Sequence, residues 1–282
     1  AARAHFHLEG CAASAWATIT DPMRALVFSG GGMFGAWQVG AWESLQSVFR
    51  PGLVVGASVG ALNGWLVASG VPVPGMIERW LGFGRQSELR LRRWPGLIDG
   101  MLDATALEAE LRRLHDECVP RLPIGVVCTQ APLFTPRLFR DGEITWKHLA
   151  ASCAVPGLLP AYKLPDGKRY VDGGYLGPTP LWAAEQMGAT RILAIRVLPP
   201  MPWAASAWIR LLQVAFRHNP AASPAVEVFW VGPKKQLGGP AEIARWRRDN
   251  ILRWLDEGRE AGLRAAAQLR EIAGAPLPPA GA

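Results

Sequence analysis

Apolar residues fall in short runs, separated by glycine-rich turns and by segments with helical periodicity. The first run is Ala25-Leu26-Val27-Phe28, which stops at Ser29-Gly30-Gly31-Gly32. The second is Leu53-Val54-Val55, which stops at Gly56-Ala57-Ser58-Val59-Gly60. Runs this short, bounded by glycine, read as buried strands, so the chain opens strand, turn, helix, strand, turn, helix. Further strands are predicted at Ile124–Thr129, Lys168–Asp172, Arg191–Val197 and Val226–Val231. Helices are predicted at Ala61–Ser69, Pro74–Leu81, Thr105–Leu114, Thr145–Ala154, Pro180–Met187 and Asp249–Ile272. Gly70 and Pro72 stop the first of these helices. Leu107, Leu111 and Leu114 line one face of the third, with Asp103 or Thr105 as its cap. The arginine-rich stretch Gly82–Gly100, which contains Trp94, reads as a loop that is either solvated or lines a substrate entrance. Arg137–Arg140 and Ile144 are expected to form a small hairpin about Asp141-Gly142. Strands alternating with helices predict an α/β fold.

The two glycine turns carry the candidate chemistry. Gly56-Ala57-Ser58-Val59-Gly60 matches G-x-S-x-G, a nucleophile elbow. A serine on a sharp strand-to-helix turn is strained, and neighbours with a Cβ would clash, hence Gly56 and Gly60. Its hydroxyl then stands at the carboxyl end of the sheet. Acyl transfer also needs N–H groups aimed at an oxyanion. Gly30, Gly31 and Gly32 offer consecutive N–H groups just before a helix N-terminus. Gly30, Gly32 and Gly35 also satisfy the dinucleotide pattern G-x-G-x-x-G. That pattern expects an acidic residue at the end of the next strand, and here the strand ends at Gly56 and the elbow serine.

Composition narrows the picture. The chain has 282 residues, 50% hydrophobic and 19% charged, which suits one α/β domain with a substantial core. We read residues 1–22 as an N-terminal extension, 23–273 as the working domain and 274–282 as a frayed tail. The net charge of +7 suits an anionic membrane surface. No arginine-rich block is interleaved with aromatics, so nucleic acid is not an expected partner. Cys11, Cys118, Cys128 and Cys153 are scattered without metal spacing and read as free thiols in a reducing compartment, with a cytoplasmic location expected. No apolar run is long enough to span a bilayer.

The strand ending at Asp172 is followed by Gly173-Gly174, so an acid on a tight glycine turn can project into the same cleft as Ser58. With this third motif the chain resembles the patatin-like phospholipase family. Gly30-Gly31-Gly32-Met33-Phe34-Gly35 looks like its oxyanion loop, Gly56–Gly60 like its elbow, and Asp172-Gly173-Gly174 like its DGG/DGA motif. Ala151-Ser152-Cys153-Ala154-Val155-Pro156 is similar to that family's helix end before the aspartate. The resemblance implies a three-layer fold with a mostly parallel central sheet. It also implies a Ser58–Asp172 dyad acting on lipid acyl esters, without metal or organic cofactor. Phe34 stands where many members have arginine, and Pro178 where many have asparagine. Two other readings stay open: an α/β-hydrolase triad of Ser58, Asp172 and His218, and a non-catalytic lipid-binding module. His115 and His148 read as surface or packing residues. Ala204–Arg217 is predicted to be a helix with a narrow polar stripe, either buried or lying at a membrane interface with Trp203 and Trp208.

Overall fold

The first strand, β1 (Arg24–Phe28), is buried at every residue, as a strand covered on both faces must be. It occupies the middle of a sheet seen in a computed structural model that describes residues 24–86, 91–96, 100–175, 177–198, 223 and 225–274. The other strands of this sheet are β2 (Leu53–Ala57), β5 (Ile124–Ala131), β6 (Thr135–Arg140), β7 (Tyr162–Lys163), β8 (Arg169–Asp172), β9 (Arg191–Ile195) and β10 (Glu227–Val231). Their order is β10-β9-β1-β2-β5-β8-β7, with β6 paired to β5. The five strands from β10 to β5 run parallel, and β6, β7 and β8 are antiparallel additions.

Side chains alternate along β1 and β2 with the period of two that a pleated strand imposes. Leu26, Phe28 and Val54 face one apolar layer. It is built with α1 (Gly35–Leu45), α2 (Val59–Ala68), α3 (Val73–Gln86), α4 (Thr105–Glu117), α5 (Trp146–Ser152) and α8 (Arg248–Gly274). Ala25, Val27, Leu53, Val55 and Ala57 face a second layer with α6 (Leu181–Gln186). A short helix, α7 (Pro240–Ala244), precedes α8. This is the expected three-layer α/β architecture.

Two local expectations are corrected. Gly82–Gly100 is not one loop: α3 continues to Gln86, and β3 (Leu91–Gly96) pairs antiparallel with β4 (Gly100–Leu102). The partner that fixes β4 is remote, since the N–H groups of Met101 and Leu102 donate to the carbonyls of Gly157 and Leu158 at 3.1 and 2.9 Å. Asp141-Gly142 is not a hairpin turn. Residues 135–140 pair with β5 instead, and Asp141 opens a single 3-10 turn whose carboxylate accepts the Ile124 N–H at 2.9 Å. The segment 1–23, most of 199–224 and residues 275–282 lie outside the described residues. With them lie the expected extension, the helix at 204–217, the tail and His218.

Candidate active site

β2 ends at Ala57 and α2 begins at Val59, so Ser58 must turn the chain alone, at φ 55° and ψ −133°. A side chain in this region is strained and survives only where its surroundings impose it. The flanking glycines explain how. A Cβ at Gly56 would strike the Gly60 carbonyl, and one at Gly60 would lie 2.5 Å from the carbonyl oxygens of Phe28 and Ser29. The Ser58 N–H donates to Ser152 Oγ at 2.8 Å, and the Ser152 hydroxyl donates to the Val127 carbonyl at 2.7 Å. A residue at the end of α5 therefore braces the elbow against β5.

The same strand positions Asp172. Val127 of β5 is paired with Leu138 on one edge and Ala57 on the other; Cys128 is paired with Arg137 and Asp172. β2 and β8 thus share one edge of β5, end to end. The residue after Ala57 arrives where Asp172 sits. The turn around Asp172 is held throughout: its N–H donates to the Ala154 carbonyl (2.9 Å) and its own carbonyl accepts from Thr129 Oγ1 (2.8 Å). The Gly173 N–H donates to the Ser152 carbonyl (3.2 Å), and the Gly174 N–H donates to Asp172 Oδ1 (2.7 Å). Asp172 and Ser58 are 6% and 7% exposed. Burial raises the Asp172 pKa to about 6, opposed by the neighbouring Ser58 hydroxyl and by the Gly174 N–H. Cys153 lies beside them; burial and the Asp172 charge push its thiol far above the ordinary range, so it stays protonated.

The three expected oxyanion glycines differ in what their N–H groups meet, beginning with Gly30. Its N–H donates to the Pro178 carbonyl at 2.8 Å and is engaged. The N–H groups of Gly31 and Gly32 have no partner among the described residues, and these glycines adopt φ of 155° and 55°. Under the loop runs a buried polar network. Gln38 Nε2 donates to the Ser29 carbonyl (2.7 Å), and Asn63 Nδ2 donates to the Gly35 carbonyl (2.9 Å) and to Gln38 Oε1 (2.8 Å). Trp80 Nε1 donates to Asn63 Oδ1 (3.1 Å). Phe34, in place of a charge, packs edge-on against Trp254 with ring centroids 4.9 Å apart. Gly35 leaves room for Val59 and Trp80.

Ser58, Asp172, Gly31, Gly32 and Gly174 open on one cavity of about 380 Å³ whose walls include Leu62, Leu66, Leu107, Leu111, Leu114 and Leu159. Val155 and Tyr175 line it and are 39% and 46% exposed, which places them at its mouth. No histidine among the described residues lines it. His115 stacks on Trp65 with centroids 5.5 Å apart, and His148 is held by Thr145 and Phe139, its pKa lowered to about 4 by burial. Sequence reading gave no role to Ser152, Gln38 or Asn63. The available signal for the two amides was that each stands among apolar residues in its helix, Gln38 between Trp37 and Val39 and Asn63 as the one polar residue of α2.

A strained elbow serine, a glycine loop with unengaged N–H groups and a buried carboxylate at the mouth of an apolar cavity define an α/β protein of the serine-elbow class. The chain belongs to the patatin-like phospholipase family, whose sequence model, described as patatin-like phospholipase, matches residues 26–185. It is 30% identical over 198 residues to patatin-like phospholipase domain-containing protein 6 of Mus musculus, across 64% of this chain and 14% of that protein. It is 27% identical over 182 residues to lysophospholipase nte1 of Aspergillus oryzae, across 61% of this chain and 12% of that protein. The match therefore spans about a seventh of the length of these relatives. The fold is similar to that of VipD from Legionella pneumophila, with a TM-score of 0.50, 13% identity, and coverage of 89% of this chain and 68% of that one.

Proposed function

We propose that this chain is a serine lipid acyl hydrolase, a phospholipase A or lysophospholipase-like esterase working through a Ser58–Asp172 dyad. The observation that carries the reading is that Ser58, on its strained elbow, and the buried Asp172 carboxylate open together on one cavity lined mostly by apolar side chains. Asp172 takes the Ser58 proton as Oγ attacks the ester carbonyl. The N–H groups of Gly31 and Gly32 hold the oxyanion, each such donor being worth about 3 kcal/mol in the transition state. The ester C–O bond then breaks and Asp172 returns the proton to the departing alcohol. Water, deprotonated by the same carboxylate, releases the fatty acid. A carboxylate is a weak base, and the burial that raises its pKa makes it a stronger one. The relatives' names, phospholipase and lysophospholipase, support an ester lipid as substrate.

Access to such a lipid completes the reading. The net charge of +7, with the exposed apolar side chains of Met101 on β4 and of Val155 and Tyr175 at the cavity, suits docking on an anionic bilayer.

A fluorophosphonate probe tests the chemistry. It should label the protein at Ser58, and Ser58→Ala should abolish both labelling and hydrolysis of a short-chain p-nitrophenyl ester while the fold persists. An unlabelled, folded protein would instead be a lipid-binding module.

A further inference from the structure

The cavity follows α2 away from the nucleophile. Val59, Leu62, Asn63 and Leu66 line it in turn, one helical turn after another. From Ser58 to Leu66 this is about 12 Å at the helical rise. At the far end α2 is tied to the end of α4. Trp65 Nε1 donates to the Cys118 carbonyl (2.8 Å), and the N–H groups of Arg121 and Leu122 donate to the Ala68 carbonyl (2.7 and 3.1 Å).

The chemistry of the wall changes there. Arg79 of α3 pairs with Glu117 at 2.6 Å and with Glu110 at 3.5 Å, and its guanidinium lies 3.7 Å from Cys118 Sγ. Arg79 and Glu110 both line the cavity, although their side chains are only 27% and 20% exposed. An apolar tube thus ends on an ion cluster.

We propose that the Arg79–Glu110 ion pair, held from outside the cavity by Glu117, is the floor of an acyl-chain subsite, and that it selects medium-chain acyl esters of about ten carbons. The proposal rests on the esterase reading above. An extended chain advances about 1.2 Å per bond, so about ten carbons cover the distance from the carbonyl to the cluster. Each methylene buried on the way should raise kcat/KM about fourfold. At the cluster the gain stops. A further methylene must strip water from ionised groups and offers them no hydrogen bond in return.

The test uses the full chain and p-nitrophenyl esters from C4 to C16, below micelle formation. The expected profile climbs about fourfold per methylene to about C10 and then levels or falls. Arg79→Met combined with Glu110→Gln removes the ion pair at similar volume and should move the break at least two carbons longer. A wild-type profile still climbing at C14, or an unmoved break in the double variant, overturns the proposal. Should that variant fail to fold, ω-hydroxy esters on the wild type decide. The hydroxyl should cost rate at C6, where it lands among leucines, and much less at C10, where Glu110 accepts its hydrogen bond; an equal cost at both lengths overturns the proposal. Fluorophosphonate labelling of Ser58 is scored separately. A labelled protein with a featureless chain-length profile defeats the floor alone, and an unlabelled one defeats the esterase reading beneath it.

Discussion

Asp172 ties activity and stability together. It binds its proton more tightly in the folded protein, at a pKa of about 6, than at its ordinary value of 3.8. Between those values the folded state holds the extra proton, so this residue's contribution to stability is full below pH 3.8 and is lost as pH rises through 6. Above that the buried charge costs about 3 kcal/mol. Asp172→Asn keeps an acceptor for the Gly174 N–H and removes the charge. It should abolish esterase activity yet melt higher than wild type at pH 8, with the two melting curves converging near pH 4. A melting difference independent of pH would refute this account. Wild-type kcat/KM should rise about tenfold per pH unit below 6 and then level off, because the base must be ionised. Ser152 acts one step back. Ser152→Ala strands the buried Ser58 N–H, a defect of about 1–3 kcal/mol. It should lower kcat by tenfold or more while KM for a short ester stays put; a change confined to melting temperature would make Ser152 purely structural.

At the scale of elements, β5 is the reference on which the site is assembled, and the polar network of Gln38, Asn63 and Trp80 locks α1, α2 and α3 beneath the glycine loop. Asn63→Ala leaves the Trp80 N–H, the Gly35 carbonyl and Gln38 without their partner. It should cost about 2–3 kcal/mol, read by chemical denaturation. These amides could be seen in the sequence as polar intruders, but their partners could not, because residues 38, 63 and 80 meet only after three helices pack. The same limit explains the missed β3–β4 ribbon, whose stabilising bonds come from Gly157 and Leu158. It also explains the misplaced hairpin, since Thr135–Arg140 found β5 rather than the nearer Ile144. What was legible was local. The elbow and the glycine loop need particular backbone angles, and those demands are written in adjacent residues. Leu107, Leu111 and Leu114 were correctly assigned to one buried face, but nothing in their spacing distinguished core from cavity wall.

Across the whole molecule, the family match ends at residue 185, yet the C-terminal helix supports the site. Residues Gly40 of α1 and Gly258 and Gly262 of α8 let the two backbones touch, Ser44 Oγ donates to the Arg259 carbonyl at 2.9 Å, and Trp254 covers Phe34. Gly258→Val would drive a side chain into the Trp37 carbonyl. It should destabilise the protein by about 3 kcal/mol, visible as a shifted denaturation midpoint. Molecules of this size flex continually, and a two-group site is sensitive only to motions that alter the separation of its groups. Ser58 and Asp172 take their positions from neighbouring residues of β5, so any sway of that strand is common-mode and cancels between them. What remains to detune the pair is shear of β2 against β8, and that motion must stretch the Ser152 bridge to both.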